Sequence, residues 1–185
     1  QQRSGPNSPV GKFLNKQPFP VTYELISEVD NLEIVIKELL KKNGLTRYVN
    51  KISAFFSENI DKIRVDDWKI IERLEYLNNN QSKVNERKEA DFLNIWLKGF
   101  GPKQSRNFLQ ALGLTKYEIP IDSRIIGWLN NLGFPISLTS SPLSDVGYYH
   151  FVLDGIQELC LKAEIYPCLL DAAIFSSYDN NEWTL

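Results

Sequence analysis

Cysteine, methionine and long apolar runs are all scarce in this chain of 185 residues. The two cysteines, Cys160 and Cys168, are too few for a disulfide framework or for a four-cysteine metal or iron–sulfur site. No apolar run approaches the roughly 18 residues that span a bilayer, and the start of the chain lacks the apolar core of a signal peptide. We therefore expect an intracellular protein, cytoplasmic or nuclear, with no membrane partner, no metal and no cofactor.

Positive charge is not in excess either, because 21 Lys and Arg face 23 Asp and Glu and the formal net charge is -2. Any contact with nucleic acid must therefore come from a local patch. Residues 95–125 supply one, since five basic residues there face two acidic ones, for a local charge of +3. The five basic residues are Lys98, Lys103, Arg106, Lys116 and Arg124.

Two regions of different composition follow each other along the chain. Residues 1–20 carry four prolines and three basic residues but no acid, which predicts a flexible basic tail. The chain contains no Met at all, not even at position 1, which indicates that Gln1 is a processed, tagged or truncated start. From Val21 onward apolar residues recur at helical spacing, so residues 21–185 are expected to form an all-α core.

Breaks at Gly, Pro and Asn divide this core into nine predicted helices. The region 139–142 is predicted to be a loop, with Ser144 as the N-cap of the helix after it. The predicted helices cover residues 21–29, 31–43, 45–61, 66–79, 85–97, 102–112, 123–132, 145–164 and 166–178.

A helix–turn–helix pair over about residues 89–112 centres on Gly99-Phe100-Gly101, and Pro102 suits the first turn of its second helix. Glycines permit a positive φ and a close backbone approach, while a new helix directs free N–H groups outward. The turn is thus suited to hold a DNA phosphate. An ordinary tight connection between two helices is the alternative interpretation.

The pattern Leu97-x-Gly99-x-Gly101-x-Lys103, followed by Asp122 within Ile-Pro-Ile-Asp-Ser-Arg, resembles the helix-hairpin-helix DNA glycosylase superfamily. The resemblance implies two helical lobes with the active site in the cleft between them, and Gly99, Phe100 and Gly101 on the DNA backbone. Arg124 stands where the family commonly has His and would also bind a phosphate. A monomer acting on double-stranded DNA with a damaged base is the implied assembly.

Lys103 and Asp122 would be the catalytic pair. Breaking an N-glycosidic bond develops positive charge on the sugar, which a carboxylate stabilises, and a neutral amine can attack the same carbon to form a Schiff base. Lys103 would be the nucleophile and Asp122 the electrostatic stabiliser and proton acceptor. Taken singly, Lys103 would be a solvated surface residue and Asp122 the N-cap of the helix that starts at Ser123.

The last predicted helix is similar to that of the 8-oxoguanine branch of the family, which carries an amide and an aromatic residue four positions apart. Asp171 and Phe175 occupy these positions and would form the base pocket with Asn107. A carboxylate can accept the N–H donors of guanine's Watson–Crick edge, and an aromatic ring can stack on a flipped purine. Phe175 could instead belong to the core.

Asn43 lies between two early helices, where the family often places a residue that fills the gap left by the flipped base. A helix C-cap is the alternative role. The leading hypothesis is a DNA repair glycosylase with AP lyase activity that excises 8-oxoguanine. A glycosylase for another damaged base and a non-catalytic helix-hairpin-helix DNA-binding protein are the alternatives.

Overall fold

A computed structural model describes residues 7–179, and the regular secondary structure of this part of the chain is entirely helical, with no strand. The predicted all-α class is therefore confirmed. The chain divides between Lys69 and Ile70 into two compact units. The helices are α1 (Pro9–Leu14), α2 (Tyr23–Glu28), α3 (Leu32–Lys42), α4 (Val49–Val65), α5 (Lys69–Asn79), α6 (Lys83–Trp96), α7 (Pro102–Ala111), α8 (Ser123–Leu132), α9 (Val146–Lys162) and α10 (Pro167–Asp179), with a 3-10 helix at Ser141–Ser144.

Six of the helices begin where the sequence supplies a side-chain cap. An oxygen of the capping residue accepts a hydrogen bond from a backbone N–H of the first turn, which would otherwise lack a partner. Six α-helices start in this way, at Ser8, Thr22, Asn31, Ser82, Asp122 and Asp145.

Two local predictions before α9 need correction. The N-cap of α9 is Asp145, not Ser144, and its Oδ1 accepts from the backbone N–H of Tyr148 at 2.8 Å. The loop predicted over residues 139–142 is confirmed for its first two residues but wrong for Ser141 and Pro142, which begin the 3-10 helix because the N–H of Asp145 donates to the carbonyl of Pro142 at 2.9 Å.

The prediction of a flexible tail over residues 1–20 is wrong for the segment that forms α1. Ser8 caps this helix by accepting from the N–H of Gly11 at 2.9 Å. Phe13 is only 8% exposed and belongs to the core of the first unit, where its ring meets Phe19 edge-on at 5.5 Å. Burial of one aromatic ring thus outweighs a composition rich in proline and polar residues. Residues 1–6 of the predicted tail lie outside the described residues.

The first unit has its core between α3 and α4. Leu32, Ile36 and Leu40 recur every four residues on one face of α3 and pack with Val49 and Ile60 of α4. This spacing is the amphipathic pattern from which the helices were predicted. The turn between α3 and α4 begins with Gly44, whose φ of 74° is a conformation that suits glycine.

The second unit has its main core among α8, α9 and α10. Ile125 and Leu129 of α8, Val152 and Ile156 of α9, and Ile174 of α10 are all at most 4% exposed. The segment before α8 joins this core, because Ile119 and Ile121 are fully buried in it. The residue that follows Ile121 is Asp122, so the core holds one end of the predicted catalytic region. No helix in residues 7–179 is long and apolar enough to cross a membrane.

We predict that Phe13→Ala lowers the free energy of unfolding by about 3–5 kcal/mol, because it removes a buried ring and leaves a cavity. Leu14→Ala is the matched control, since Leu14 is adjacent but 57% exposed, and its effect should stay within about 0.5 kcal/mol. Urea denaturation, monitored by circular dichroism, measures the free energy of unfolding of both variants. If both substitutions had equally small effects on the free energy of unfolding, the prediction of a flexible tail over residues 1–20 would be supported.

Candidate active site

The turn between α6 and α7 has the geometry of an open anion site. Gly99 has a φ of 81°, in the left-handed region, whereas Gly101 is extended and N-caps α7 without a side-chain hydrogen bond. A Cβ on Gly101 would meet no atom within 4 Å, so the space beside it is open. Ser105, which is buried, donates from Oγ to the carbonyl of Gly101 at 3.0 Å and holds the turn against α7.

The Phe100 ring packs against α7. It packs edge-on against Phe108 with the ring centroids 5.6 Å apart, so it buttresses the turn from the α7 side. The backbone of residues 99–101, rather than the Phe100 side chain, is therefore the part of the turn suited to meet an anion.

Lys103 and Asp122 lie side by side, although 19 positions separate them in the chain. The Lys103 Nζ is 3.3 Å from Asp122 Oδ2, and the two side chains are 27% and 17% exposed. Asp122 is also the N-cap of α8, because its Oδ1 accepts from the backbone N–H groups of Arg124 at 2.9 Å and Ile125 at 3.4 Å. The capping role of Asp122 is confirmed, and it coexists with the pairing to Lys103.

Arg124 completes this charged group. Its Nη2 and Nε are 2.7 Å and 3.1 Å from Asp122 Oδ2, the oxygen that also faces Lys103. Burial raises the pKa of Asp122, but the hydrogen bonds from Arg124 and the charge of Lys103 outweigh it, so the pKa lies below its ordinary value. Asp122 is thus a carboxylate at neutral pH, shared between two cations.

Phe175 lies next to these charges and is not a core residue. The guanidinium of Arg124 stands 4.5 Å from the centroid of its ring, in a cation–π contact. The ring is 44% exposed, whereas its neighbour Ile174 is 4% exposed and fills the core. The alternative that Phe175 packs inside is therefore wrong, and α10 presents an aromatic surface beside the carboxylate.

Asp171 is one turn from Phe175 on α10 and is held by Gln110 of α7, whose Nε2 donates to Asp171 Oδ2 at 2.9 Å. Burial raises the pKa of Asp171, and the nearby charge of Asp122 raises it further. Our sequence reasoning missed Gln110. The signal was its spacing, because it follows Lys103 by seven residues and so lies on the same face of α7.

Two predicted residues have their amides engaged elsewhere. Asn107 donates from Nδ2 to Gln104 Oε1 at 3.2 Å. Asn43, in the first unit, is the C-cap of α3, and its Nδ2 donates to the carbonyl of Leu39 at 2.7 Å. The C-cap interpretation of Asn43 is confirmed, and its role as a gap-filling residue stays a prediction.

Arg106 was expected to contribute to the positive patch of residues 95–125. The structure shows that its side chain is not available for binding there. Its side chain is fully buried, with Nη2 at 2.7 Å from the buried carboxylate of Glu118 and 3.1 Å from Asp91, and its guanidinium lies over the Tyr149 ring. His150 joins the same cluster through Asp91 at 3.1 Å, which agrees with a structural role. Removing Arg106 and Glu118 together from the count leaves the local charge of residues 95–125 at +3.

The segment that leads to Asp122 is fixed by polar anchors. The carboxylate of Glu86 accepts from the backbone N–H groups of Lys116, Tyr117 and Glu118 at 2.7–3.0 Å. The Tyr149 hydroxyl donates to the carbonyl of Ile119 at 2.9 Å and accepts from the N–H of Ile121 at 2.7 Å. These bonds hold an otherwise irregular segment in place immediately before the candidate catalytic carboxylate.

We predict that Glu118→Gln lowers the free energy of unfolding by about 3–5 kcal/mol, because it removes the buried carboxylate that pairs with both Arg106 and Arg87 and leaves Arg106 only the partly exposed Asp91. The control is Lys162→Gln, which breaks an ion pair to Glu158 whose lysine is 75% exposed. Its effect should stay below about 1 kcal/mol. Similar losses in the two variants, measured by urea titration, would contradict the structural role of the buried pair.

Comparison with known proteins adds no relative, since no protein-family model, curated protein or solved structure matches this chain. Function therefore has to be inferred from the side chains that the fold brings together. These are Lys103, Asp122, Arg124, Phe175, Asp171 and Gln110.

Proposed function

We propose that this protein is a DNA glycosylase with AP lyase activity, which excises oxidised guanine through a Schiff base on Lys103. The observation that carries the proposal is the Lys103 Nζ–Asp122 Oδ2 distance of 3.3 Å between two partly exposed side chains. An amine and a carboxylate within contact of each other can act on the same sugar carbon. An ion pair between partly exposed side chains adds little to the stability of the fold, so stability alone is a weak reason for this pairing.

The two side chains would divide the chemistry between them. As the bond between the sugar C1′ and the base breaks, the base leaves with the electron pair and positive charge develops on the sugar, which the Asp122 carboxylate stabilises. Neutral Lys103 then forms a bond from Nζ to C1′, and one of its two Nζ protons passes to the departing base or to water. The C1′–O4′ bond next breaks, O4′ takes up a proton, and the open sugar is held as a protonated Schiff base. Loss of a proton from C2′ then breaks the C3′–O bond and releases the 3′ phosphate by β-elimination.

The pKa of Asp122 distinguishes between its two candidate roles. A carboxylate whose pKa is lowered by Arg124 and Lys103 stays charged in the active range but is a weak proton acceptor. This property supports electrostatic stabilisation as its main contribution, and we propose that another group accepts the proton of Lys103. Arg124 would accordingly keep Asp122 ionised, in addition to any contact it makes with a phosphate.

Recognition of the base would fall to α10. The exposed ring of Phe175 offers a face on which a flipped purine can stack. Gln110 donates to Asp171 Oδ2, and Asp171 Oδ1 would be the oxygen that accepts from the N–H donors of a guanine-like edge. Adenine presents an acceptor at N1 and would be disfavoured there, which favours a guanine-type base. Oxidised guanine is proposed because α10 is similar to the last helix of the 8-oxoguanine branch.

DNA backbone binding would fall to the turn of residues 99–101. The open space beside Gly101 and the uncapped start of α7 provide backbone N–H donors for a phosphate. Because Lys103 lies in the first turn of the same helix, a phosphate held here would bring the neighbouring sugar close to the amine. The turn thus couples DNA binding to the chemistry.

The chemistry is tested by borohydride trapping on duplexes that carry 8-oxoguanine, uracil or an abasic site. We predict a covalent adduct with the 8-oxoguanine and abasic duplexes, and its loss in Lys103→Gln. Lys98→Gln is the control, because it removes a lysine from the same turn and should still be trapped. An adduct that persists in Lys103→Gln would exclude this nucleophile.

Asp122→Asn should retain DNA binding but slow base excision by about a hundredfold or more, as expected for loss of a main electrostatic stabiliser. Single-turnover excision and equilibrium binding measure the two effects. If no duplex yields an adduct or released base while DNA still binds, the non-catalytic DNA-binding alternative applies. Excision of another damaged base alone would point to the related glycosylase.

Phe175→Ala should weaken binding to the 8-oxoguanine duplex by about 1–3 kcal/mol, because a base loses its stacking partner. Trapping on an abasic duplex should be unchanged, since that substrate has no base to stack. Phe151→Ala is the control, as Phe151 is a similarly exposed aromatic at 48% in the same unit. Loss of abasic trapping in Phe175→Ala would instead indicate a structural role for the ring.

A further inference from the structure

The two carboxylates of the candidate site hold their charge in different ways. Asp122 contacts the cations Lys103 and Arg124, whereas Asp171 is held by the neutral amide of Gln110, whose Nε2 lies 2.9 Å from its Oδ2. Asp171 is also half-buried. A carboxylate that is removed from water and held by a neutral donor keeps its charge less firmly than one that contacts cations. The charge of Asp171 therefore depends strongly on Gln110.

The ionisation of Asp171 is balanced between burial and groups on α7 and at the start of α8. Burial is the largest influence and raises the pKa of Asp171, the Gln110 amide opposes it, and the charge of Asp122 raises it again. The charges of Arg124 and Lys103 lower the pKa, but the net result lies above the ordinary value of an aspartate. Gln110 is the strongest of the groups that favour the charged form.

Two further titratable groups lie near enough to Asp171 to interact with its charge. They are the Tyr149 hydroxyl on α9 and the Cys168 thiol on α10, and burial raises the pKa of both. Both groups are therefore uncharged at neutral pH. The change of charge at this end of α10 in acidic solution is thus expected at Asp171 itself.

The charge of Asp171 decides what kind of base edge it can bind. An ionised carboxylate only accepts hydrogen bonds, whereas a protonated one also donates through its O–H. The Watson–Crick edge of a guanine-type base presents N–H donors, and that of an adenine-type base presents an acceptor at N1. The two protonation states of Asp171 consequently suit opposite base edges.

We infer that Gln110 is a positioning residue that holds Asp171 in its ionised, accepting state, so that protonation of Asp171 moves the site from guanine-type to adenine-type base edges. The inference rests on the proposed function, because it requires that a flipped base meets Asp171. Gln110 and Lys103 are both on α7. The helix that carries the proposed nucleophile thus also controls how the base is read.

The pH dependence has a definite sign. The N–H of Gln110 stabilises the carboxylate, so Gln110→Leu should raise the pKa of Asp171 further. Excision of 8-oxoguanine should fall as the pH drops through the midpoint of Asp171, and in Gln110→Leu the fall should begin at a higher pH. Excision of 8-oxoadenine should rise over the same range, because the protonated acid can donate to N1.

The first measurement is made on the free protein and requires no DNA. Carbon-13 NMR of the full chain labelled at the aspartate carboxyl groups follows the titration of each carboxylate, and Asp171→Asn identifies the signal of Asp171. The midpoint of this signal should move to higher pH in Gln110→Leu. Gln104→Leu is the matched control, because Gln104 is an exposed glutamine of the same helix whose Oε1 contacts Asn107. The midpoint should not move in this variant.

The second measurement separates base reading from the chemistry on the sugar. At each pH, the single-turnover rate of 8-oxoguanine excision is divided by the rate of borohydride trapping on an abasic duplex. Trapping depends on Lys103 and Asp122 but involves no base, so the ratio cancels their ionisation. At the Asp171 midpoint of the unaltered protein, the ratio in Gln110→Leu should be lower by about fivefold or more, as expected when a charged group loses a hydrogen bond.

A double-mutant cycle distinguishes positioning of Asp171 from a merely structural role of Gln110. Asp171→Asn keeps an oxygen that accepts a hydrogen bond but cannot titrate, so the ratio should lose its dependence on pH. Adding Gln110→Leu to Asp171→Asn should then have no further effect on the ratio. If Gln110→Leu alone fails to fold, as judged by circular dichroism, the pH profile of Asp171→Asn decides the inference.

The outcomes separate this inference from the proposed function. An unmoved Asp171 midpoint in Gln110→Leu, or a ratio that depends on pH equally in Asp171→Asn and in the unaltered protein, overturns the inference while the catalytic proposal stands. If the unaltered protein neither releases 8-oxoguanine nor is trapped on abasic DNA, the proposed function fails and the reading of bases by Asp171 fails with it. A moved midpoint together with opposite pH trends for the two bases supports the inference.

Discussion

The buried ion pair between Arg106 and Glu118 is the contact on which the candidate site depends. Both side chains are fully buried, and the 2.7 Å bond joins α7 to the irregular segment before α8. Lys103 lies one turn before Arg106, and Asp122 follows Glu118 by four residues. A pair of this kind adds little net stability over a well-packed apolar core, but breaking it is costly. Its value here is positional, because it holds α7 against the segment that carries Asp122 and so sets where the Lys103 amine meets the Asp122 carboxylate.

Around this pair, hydrogen bonds from distant residues replace regular secondary structure. Glu86 binds three successive backbone N–H groups, and the Tyr149 hydroxyl binds a carbonyl and an N–H on either side of Pro120. An irregular segment with buried polar groups needs such partners. Asp122 consequently serves several functions at once, as helix cap, as partner of two cations and as the proposed stabiliser of sugar charge. Its several partners explain why it stays ionised in a half-buried position.

The two units present their charge in different ways. In the second unit the cations Lys103 and Arg124 converge on the carboxylate of Asp122. In the first unit Arg47 and Lys51 lie over the rings of Tyr48 and Phe55. Positive charge is thus concentrated locally while the chain as a whole stays slightly acidic.

The sequence by itself determined the helical class, most helix positions, the Gly99–Gly101 turn and the Asp122 cap, because helical periodicity and capping are local properties. Composition predicted a flexible tail where α1 forms, because the burial of Phe13 depends on residues distant in the chain. Only the tertiary structure decided that Arg106 is buried, that Gln110 holds Asp171 and that Phe175 is exposed beside Arg124. Spacing within one helix places side chains such as Lys103 and Gln110 on a common face, but helix packing decides whether that face meets solvent or a partner.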